Sequence, residues 1–303
     1  MSVNSADLRV FETVARLGGI GRAARELATV QSNVTARIRS LETELGKPLF
    51  LRHARGVSLT RAGEALLPYA VQVAKLLGDA KRALDDPAPS GALIVGALET
   101  TAALRMSPVL IAYRRQFPEV DLSLRTGTTA ALVNDVLAYK LEGAFVVGPV
   151  GHPELHEEAV FEEELVLISA PSRATLAEAL DCDSVLVFRE GCMYRSRLEA
   201  FLARSPVRQR RVMEFGSLDG ILGCVAADLG ITVLPRAVAN RSPVGALRLH
   251  ELPRRETRAV VAFVRRQDAF VTRALAEFVR LAQEHARSLR TPRARAVALT
   301  RAR

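Results

Sequence analysis

The sequence predicts a three-helix head closed by a β-hairpin, then one long helix, then a two-lobed α/β body. Three observations predict it. Apolar residues at helical spacing fill three short N-terminal segments, and an apolar–turn–apolar pair follows them up to Thr60. A stripe of three- and four-residue steps then runs from Arg61 without a break. Beyond residue 91, short apolar runs alternate with helical segments. At 303 residues the chain is too long for one average core, and 49% hydrophobic residues suffice for several.

In the head, Leu8, Val10, Phe11, Val14, Ala15 and Leu17 share one helical face, and Gly18-Gly19 ends it. GRAARELA reads as a short helix over Ala23, Ala24 and Leu27, small enough to let two helices cross closely. Thr29 can cap a third helix, with Val34, Ile38, Leu41 and Leu45 as its core face and Gly46 as its stop. This is helix-turn-helix spacing with the third helix as the reader of a DNA groove. Its other face carries Gln31, Ser32, Asn33, Thr35, Arg37 and Arg39. Gln and Asn can pair with adenine edges, Thr can meet a thymine methyl, and Arg can bind guanine or phosphate. Gln31, Ser32, Asn33 and Thr35 are therefore expected to read bases. The alternative is a solvated face with ordinary ion pairs, such as Arg39 with Glu42 or Glu44.

Leu49–Leu51 and Val57–Leu59 form two short strands around Ala54-Arg55-Gly56, a wing. Arg52, His53 and Arg55 project from it, and with Arg37 and Arg39 are expected to hold phosphates. Leu49, Phe50 and Leu59 belong to the core. After Arg61, Leu66, Tyr69, Val73, Leu76, Ala80 and Leu84 make one apolar stripe over roughly six turns. Such a stripe calls for an antiparallel partner helix in a dimer, or for packing on the C-terminal part of its own chain. DDPAPSG, residues 85–91, is a linker.

In the body, Leu93–Leu98, Val120–Arg125, Ala144–Val147, Leu165–Ser169, Val185–Phe188, Val212–Phe215, Ile231–Leu234 and Val260–Val264 read as strands. Helices lie between them and from Arg195, Leu218 and Asp268. Repeated strand–helix units predict a mostly parallel sheet. In such folds ligands sit beyond strand C-termini, where helix amides point inward. Thr100-Thr101, Thr128-Thr129 and Ser217 stand at three such ends and can together hold a small anion such as a carboxylate. Simple N-capping is the alternative for each.

Net charge is +9, which favours a polyanionic partner, and with no Trp and 5% aromatics a base-stacking surface is poorly supported. Residues 1–62 hold ten Arg/Lys against five Asp/Glu; after Glu284 come Arg287, Arg290, Arg293, Arg295, Arg301 and Arg303 without an acid. That tail reads as a disordered end that could also touch DNA. There is no apolar signal segment and no run of membrane-spanning length, so a cytoplasmic location is expected, with no membrane partner. Cys182, Cys192 and Cys224 lack zinc spacing, and the histidines are scattered; His152 and His156 lie in an acidic loop. No dinucleotide glycine motif, Walker loop, nucleophile elbow or zincin motif occurs, so an enzyme, a cofactor and a metal are not expected.

Residues 24–63 resemble the LysR-type bacterial transcriptional regulators. The matching residues are Ala24, Leu27, Gln31, Val34, Ile38, Leu41-Glu42, Leu45-Gly46, Leu49-Phe50, Arg52, Leu59-Thr60 and Gly63. Thr35 stands where that family usually has Ser, and Ser32 where it often has Pro. The likeness continues through GALIVGALETTAALRMSPVLIAYRRQFPEVDL and GSLDGILGCVAADLGITVLP, in which Asp228 replaces a usual glycine, and ends before the Arg-rich tail. It implies a winged helix-turn-helix domain (1–60), a dimerising linker helix and hinge (61–90), and a periplasmic-binding-protein-like effector domain (91–290). The first lobe would take about 91–161 and 267–290, the second about 162–266, leaving 291–303 as the tail.

The resemblance also implies an effector held between the lobes near Thr100, Thr101, Thr128 and Ser217. GAFV and GC-x-YR segments place Arg189, Cys192 and Tyr194 at that cleft's border, with Arg189 or Arg195 facing an effector carboxylate or pairing with Glu190 or Glu199. Family members form dimers of dimers, bind partly palindromic promoter DNA as activators or repressors, and contact RNA polymerase. Some sense peroxide through a cysteine in the region of Cys192, although Met193 matches that position more closely. Thiol sensing and ligand-independent DNA binding therefore stand as alternatives to effector control.

Overall fold

The computed structural model describes residues 3–53, 56–85, 89–204, 210–241, 246–253 and 256–290, without the side chains of 75, 79, 81–85 and 290. Arg55, the turn at 54–55, the Leu84 side chain and the Arg-rich tail from residue 291 lie outside the described residues. The chain divides into two compact units, Met1–Pro87 and Ala88–Arg303.

In the smaller unit, α1 (Ser5–Leu17) is capped by Asn4, whose side chain accepts from Ala6 N–H, and ends on Gly18 at φ +63°. Helices α2 (Ile20–Glu26) and α3 (Gln31–Leu45) follow, then the antiparallel hairpin β1 (Phe50–His53) and β2 (Gly56–Leu59). Phe11, Val14, Ala23, Val34, Ile38, Leu41 and Leu49 form the core, with the Phe11 and Phe50 rings 5.2 Å apart. The Glu42 carboxylate accepts from Leu49 N–H at 2.7 Å, tying α3 to the first wing strand. Gly56 lets the wing close on the α1–α2 turn: a Cβ there would lie 2.3 Å from the Gly18 carbonyl oxygen, which accepts from Val57 N–H. Thr29 does not cap α3. Val30 holds the N-cap position with no side-chain bond, and the Thr29 hydroxyl accepts from the Asn33 side-chain amide at 2.9 Å.

The stripe on α4 (Arg61–Asp85) divides. Leu66, Leu67, Ala70 and Val73 pack on the head's own core against α1, while Tyr69, Leu76 and Leu77 are exposed. The head thus takes part of the surface expected to meet a partner helix.

In the larger unit, one sheet runs β10–β6–β11–β5–β3–β4, with β9 also on β6. Parallel pairing joins β3 (Gly91–Leu98) to β4 (Val120–Gly127) and to β5 (Gly143–Gly148), and in a separate ladder β7 (Ser184–Phe188) to β8 (Arg211–Phe215). The expectation of a mostly parallel sheet is corrected by β6 (Leu155–Ser169) and β11 (Arg258–Arg266). They run antiparallel from Arg258↔Glu164 to Arg266↔Leu155, because one carries the chain out of the first lobe and the other brings it back. The far half of β6 pairs antiparallel with β9 (Thr232–Pro235) and β10 (Arg248–Glu251) of the second lobe. Val260–Val264 of β11 pairs with β5, so the chain has rejoined the first lobe's sheet ahead of residue 267.

Helices cover the strands. In the first lobe α5 (Glu99–Thr101), a π turn (Ala102–Met106) and α6 (Ser107–Gln116) run on from β3, α7 (Thr129–Leu137) follows β4, and α12 (Arg273–Arg290) packs on α6. In the second lobe α8 (Leu176–Leu180) and α11 (Arg236–Ala239) flank α9 (Met193–Leu202) and α10 (Leu218–Ala226). Tyr113, Phe145, Phe263 and Phe278 centre the first lobe's core; Tyr113 meets Phe278 edge-on at 5.4 Å and donates its hydroxyl to the Ala274 carbonyl. Asp228 occupies the left-handed region at φ +59°, the conformation that glycine adopts freely. It is held there by Arg173 Nε at 2.6 Å and Ser172.

One ion pair lies deep in this unit. Arg105 of the π turn donates through Nε and Nη2 to both oxygens of Glu163 on β6 at 2.9 Å, with the side chains 12% and 4% exposed. Glu163→Ala leaves a buried, uncompensated guanidinium. It is expected to destabilise the larger unit by about 3–5 kcal/mol, read as a lower urea midpoint for that unit; an unchanged midpoint would show that the pair is not structural.

Candidate functional site

Two surfaces carry the predicted residues. On the head, Gln31, Ser32, Asn33 and Arg39 are exposed on α3, Thr35 is half-buried, and Arg52 and His53 are exposed on β1. Arg37 is partly engaged within the protein, with Nη1 2.7 Å from the Asp7 carboxylate. The first turns of α2 and α3 border an open groove of about 680 Å³, lined by Gly18, Gly19, Gly21, Arg22, Arg25, Val30, Gln31 and Gly56 among others. Gly21 leaves room for the Gln31 amide, whose nitrogen would lie 3.1 Å from a Cβ at that position. Arg22 and Arg25 extend the cationic surface beyond the residues expected; both lie in GRAARELA, which reads first as a support helix.

In the larger unit a cavity of about 470 Å³ opens where strand ends of the two lobes meet. The first lobe contributes Leu98, Glu99, Thr100, Thr126, Gly127, Thr128 and Ala131; the second contributes Phe188, Arg189, Glu190, Cys192, Phe215 and Gly216. Of the predicted effector residues, Thr100, Thr128, Arg189 and Cys192 line this space. Thr101 and Thr129 do not; both are buried behind it, and the Thr129 hydroxyl has no hydrogen-bond partner among the described residues. Ser217 does not line it either. Its side chain caps α10 by accepting from Gly220 N–H at 3.2 Å, and Gly216 forms the wall instead. Tyr194 is buried outside the lining and accepts at 3.4 Å from the Thr100 hydroxyl of the opposite lobe. Burial raises its phenol pKa well above the ordinary value, so it stays protonated.

Capping and lining are not alternatives at Thr128: its hydroxyl oxygen accepts from Ala131 N–H at 3.3 Å and the residue still faces the cavity. Arg195 takes the ion-pair alternative, bonding Glu199 at 2.8 Å and Glu214 at 3.0 Å. Arg189 is exposed beside Gly216, with Nη2 3.3 Å from where a Cβ would stand. Sequence reasoning missed Glu99, Gly191 and the role of Glu190. Gly191, at φ +85°, lets the lobes touch: its carbonyl accepts from Ala130 N–H at 3.3 Å, and a Cβ would lie 2.8 Å from that of Ala130. The GC-x-YR segment held that signal, but attention fell on its cysteine. No group of three or more His, Cys, Asp or Glu side chains among the described residues is placed to hold a metal, and no described helix is long and apolar enough to cross a membrane.

Comparison with known proteins follows the same division. Residues 5–64 match the family "Bacterial regulatory helix-turn-helix protein, lysR family", and residues 87–287 match "LysR substrate binding domain". The uncharacterised regulator YusT of Bacillus subtilis is 46% identical over 279 residues, covering 91% of this chain and 94% of its own. The regulator GltR of the same species is 40% identical, covering 92% and 95%. Among solved structures, full-length OxyR from Pseudomonas aeruginosa superposes with TM-score 0.73 at 22% identity, covering 95% of each chain. CbnR in complex with its target DNA gives 0.63 at 24% identity, covering 94% and 100%. LysG from Corynebacterium glutamicum, solved with bound effector Arg, gives 0.67 at 21% identity, covering 94% and 99%. At these identities the structures speak to the fold.

Burial is also the main cause that raises the Cys192 thiol pKa above its ordinary value, against which nearby backbone bonds and Arg195 act only in part. The thiol is therefore protonated at neutral pH, and thiolate gains only as pH rises into the alkaline range. With iodoacetamide at pH 7.5, Cys192 of the native protein is expected to stay unmodified while the less buried Cys224 reacts, as read by peptide mass mapping. Rapid Cys192 labelling at pH 7.5 would contradict this.

Proposed function

This chain belongs to the LysR family of bacterial helix-turn-helix transcriptional regulators, and from that premise we propose that a small carboxylate bound between its two lobes controls how the head engages promoter DNA. The observation that carries the proposal is the cavity, into which Thr100, Thr128 and Arg189 converge at strand ends of both lobes. The Thr128 hydroxyl ahead of α7 and the Arg189 guanidinium, which has no partner among the described residues, suit a carboxylate. The other charges narrow the class. Glu99 and Glu190 share the lining with the single Arg189, so a simple dianion would meet more like charge than opposite charge. The effector that fits carries a carboxylate for Arg189 and a cationic or donor-rich group for the glutamates. Phe188 and Phe215 supply apolar contact between them. The fold-related LysG, with Arg as effector, supports a ligand bearing both charges.

An effector shifts the output only if it binds two lobe arrangements with different affinity. Among the contacts between lobes, Ala130 with Gly191 and Thr100 with Tyr194 border the cavity and are placed to register an occupant, while Arg241 donates to the Leu104 carbonyl away from the lining. On the DNA side, Gln31, Ser32, Asn33 and Thr35 read bases while Arg39, Arg52 and His53 hold phosphates, with Arg37 shared with Asp7. Two heads are needed for a partly palindromic site, and the exposed Tyr69, Leu76 and Leu77 of α4 support pairing through that helix. Assembly then proceeds to a dimer of dimers that recruits or blocks RNA polymerase. The burial of Cys192 argues against a thiol switch, and a ligand-independent architectural protein would have no use for a charged cavity.

A thermal-shift screen of amino acids, dicarboxylates and neutral analogues on the full chain tests the effector class. Amino acids or other amino carboxylates are expected to raise Tm, and the response to be lost in Thr100→Val and Arg189→Ala with DNA binding retained. Stabilisation by dicarboxylates alone, or an unchanged isotherm in both variants, refutes this site assignment. For DNA, Gln31→Ala is expected to lose preference for the specific duplex by about 10-fold or more, one bidentate base contact being worth about 1–3 kcal/mol. Arg52→Ala is expected to weaken specific and random duplexes alike and lower the salt slope by about one. Uniform weakening by the first, or an unaltered salt slope in the second, contradicts the assigned role.

A further inference from the structure

Val30 breaks a local rule at a place where breaking it has a use. The N-cap of α3 is the position where Ser, Thr, Asp or Asn would accept a first-turn amide bond. Val30 instead sits there in extended geometry, φ −92° and ψ 153°, with no side-chain cap. No side chain caps the first turn; Asn33 N–H and Val34 N–H donate to the Val30 carbonyl at 3.1 and 3.3 Å. Thr29, one residue earlier, spends its hydroxyl on Asn33. Nor does Val30 staple the helix to the core, since its side chain is 65% exposed.

The surroundings identify an occupant. Val30 lines the same groove as Gln31, Arg22 and Arg25, and none of the described residues of that lining is acidic. A cationic groove with an adenine-reading amide and one projecting isopropyl group matches a DNA major groove, in which thymine alone presents a methyl. We infer that Val30 reads the 5-methyl group of a thymine at the edge of the site that α3 recognises. This rests on the reading that the first turn of α3 faces the bases. The side chain that would best stabilise the helix end has given way to one that contacts DNA, as functional positions often show.

The test uses the full chain and duplexes enriched by it from a random-sequence pool. Each thymine of the selected site is replaced in turn by deoxyuridine, which deletes only the methyl. One thymine per half-site is expected to matter, with about fourfold weaker binding by the unaltered protein, the factor that burying one methyl is worth. Val30→Ser is expected to bind the parent site about fourfold more weakly and to be indifferent to deoxyuridine at that position. Because serine supplies the missing cap, its Tm should equal or exceed that of the unaltered chain, which separates lost recognition from lost folding. An identical methyl map in both proteins overturns the inference. So does equal weakening of Val30→Ser on selected and random duplexes, or methyl sensitivity that survives Val30→Ser but disappears in Thr35→Ala. If no methyl matters while Gln31→Ala still relaxes base preference, Val30 is excluded and α3 remains the reader. If Gln31→Ala also changes nothing, the reading of α3 itself falls with it.

Discussion

Strand β6 passes through both lobes of the larger unit without a break, and its antiparallel ladder with β11 fixes where the lobes can meet. From Leu155 to Glu164 it pairs with β11, and from Leu165 to Ser169 with β9 and β10. The β6–β11 ladder holds one register up to a bulge between Val261 and Ala262 and another beyond it, and Leu165–Ser169 of β6 are buried. One covalent strand therefore belongs to both lobes, its first part seated in the first lobe's sheet and its last in the second's. Their free strand ends face each other across one space, so the cavity follows from the topology. The Arg105–Glu163 pair adds a second tie, joining β6 to the helical run that begins with Glu99 and Thr100 at the cavity wall. The cavity wall at Glu99 and Thr100 and strand β6 are thus connected through one short segment of backbone.

The head obeys a different constraint. Its wing and its turn share a carbonyl: Gly18 closes α1 and accepts from Val57, and no Cβ fits at Gly56 against it. With Glu42 bonded to the start of β1, both wing strands are anchored to the helices, α3 with its exposed polar face among them. Arg52 and His53 therefore hold a set position relative to Gln31. Positioning of this kind is what phosphate contacts contribute to recognition.

Most of this was legible in residues whose side chains obey a period. Val34, Ile38 and Leu41 announce the core face of α3 by spacing, and Gly46 its end, because burial acts on each side chain separately. Strands β3, β5 and β7 were equally plain as apolar runs. What failed was relational. Thr29 has the chemistry of a cap, but α3 begins one residue later, with Val30 at the N-cap, and the Thr29 hydroxyl accepts from Asn33 instead. Ser217 does cap, and the cavity wall it was expected to form is made by Gly216. The antiparallel pair was hidden because β6 shows as an apolar run only over Leu165–Ser169; its acidic first half, with His156 expected in a loop, is strand paired with β11. Glu190 shows in the sequence only as an ion-pair partner and Glu99 not at all, and only convergence from two lobes sets them apart. Gly191 carries no side chain to notice, and its meaning lies in what it allows Ala130 to do.

The energies involved bear on how such a cavity can act as a control. A contact such as Ala130 N–H to the Gly191 carbonyl contributes about 0.5–1.5 kcal/mol net. Coupling between an effector and a distant site typically amounts to about 1–3 kcal/mol. The two are of one size, so a ligand need only make or break a few bonds of this kind to shift the balance between lobe arrangements. A heavily cemented lobe boundary would hold one arrangement against any small molecule, and a boundary without contacts would leave nothing for the ligand to bias. The described boundary lies between these limits. Thr100 and Tyr194 meet at 3.4 Å, the long end of hydrogen bonding, and the glycine at 191 leaves the lobes touching by backbone with no interlocking side chain there. Firmer bonds lie away from the cavity, such as Arg241 to the Leu104 carbonyl at 3.1 Å, so the weak contacts are those beside it, where an occupant would carry the most influence.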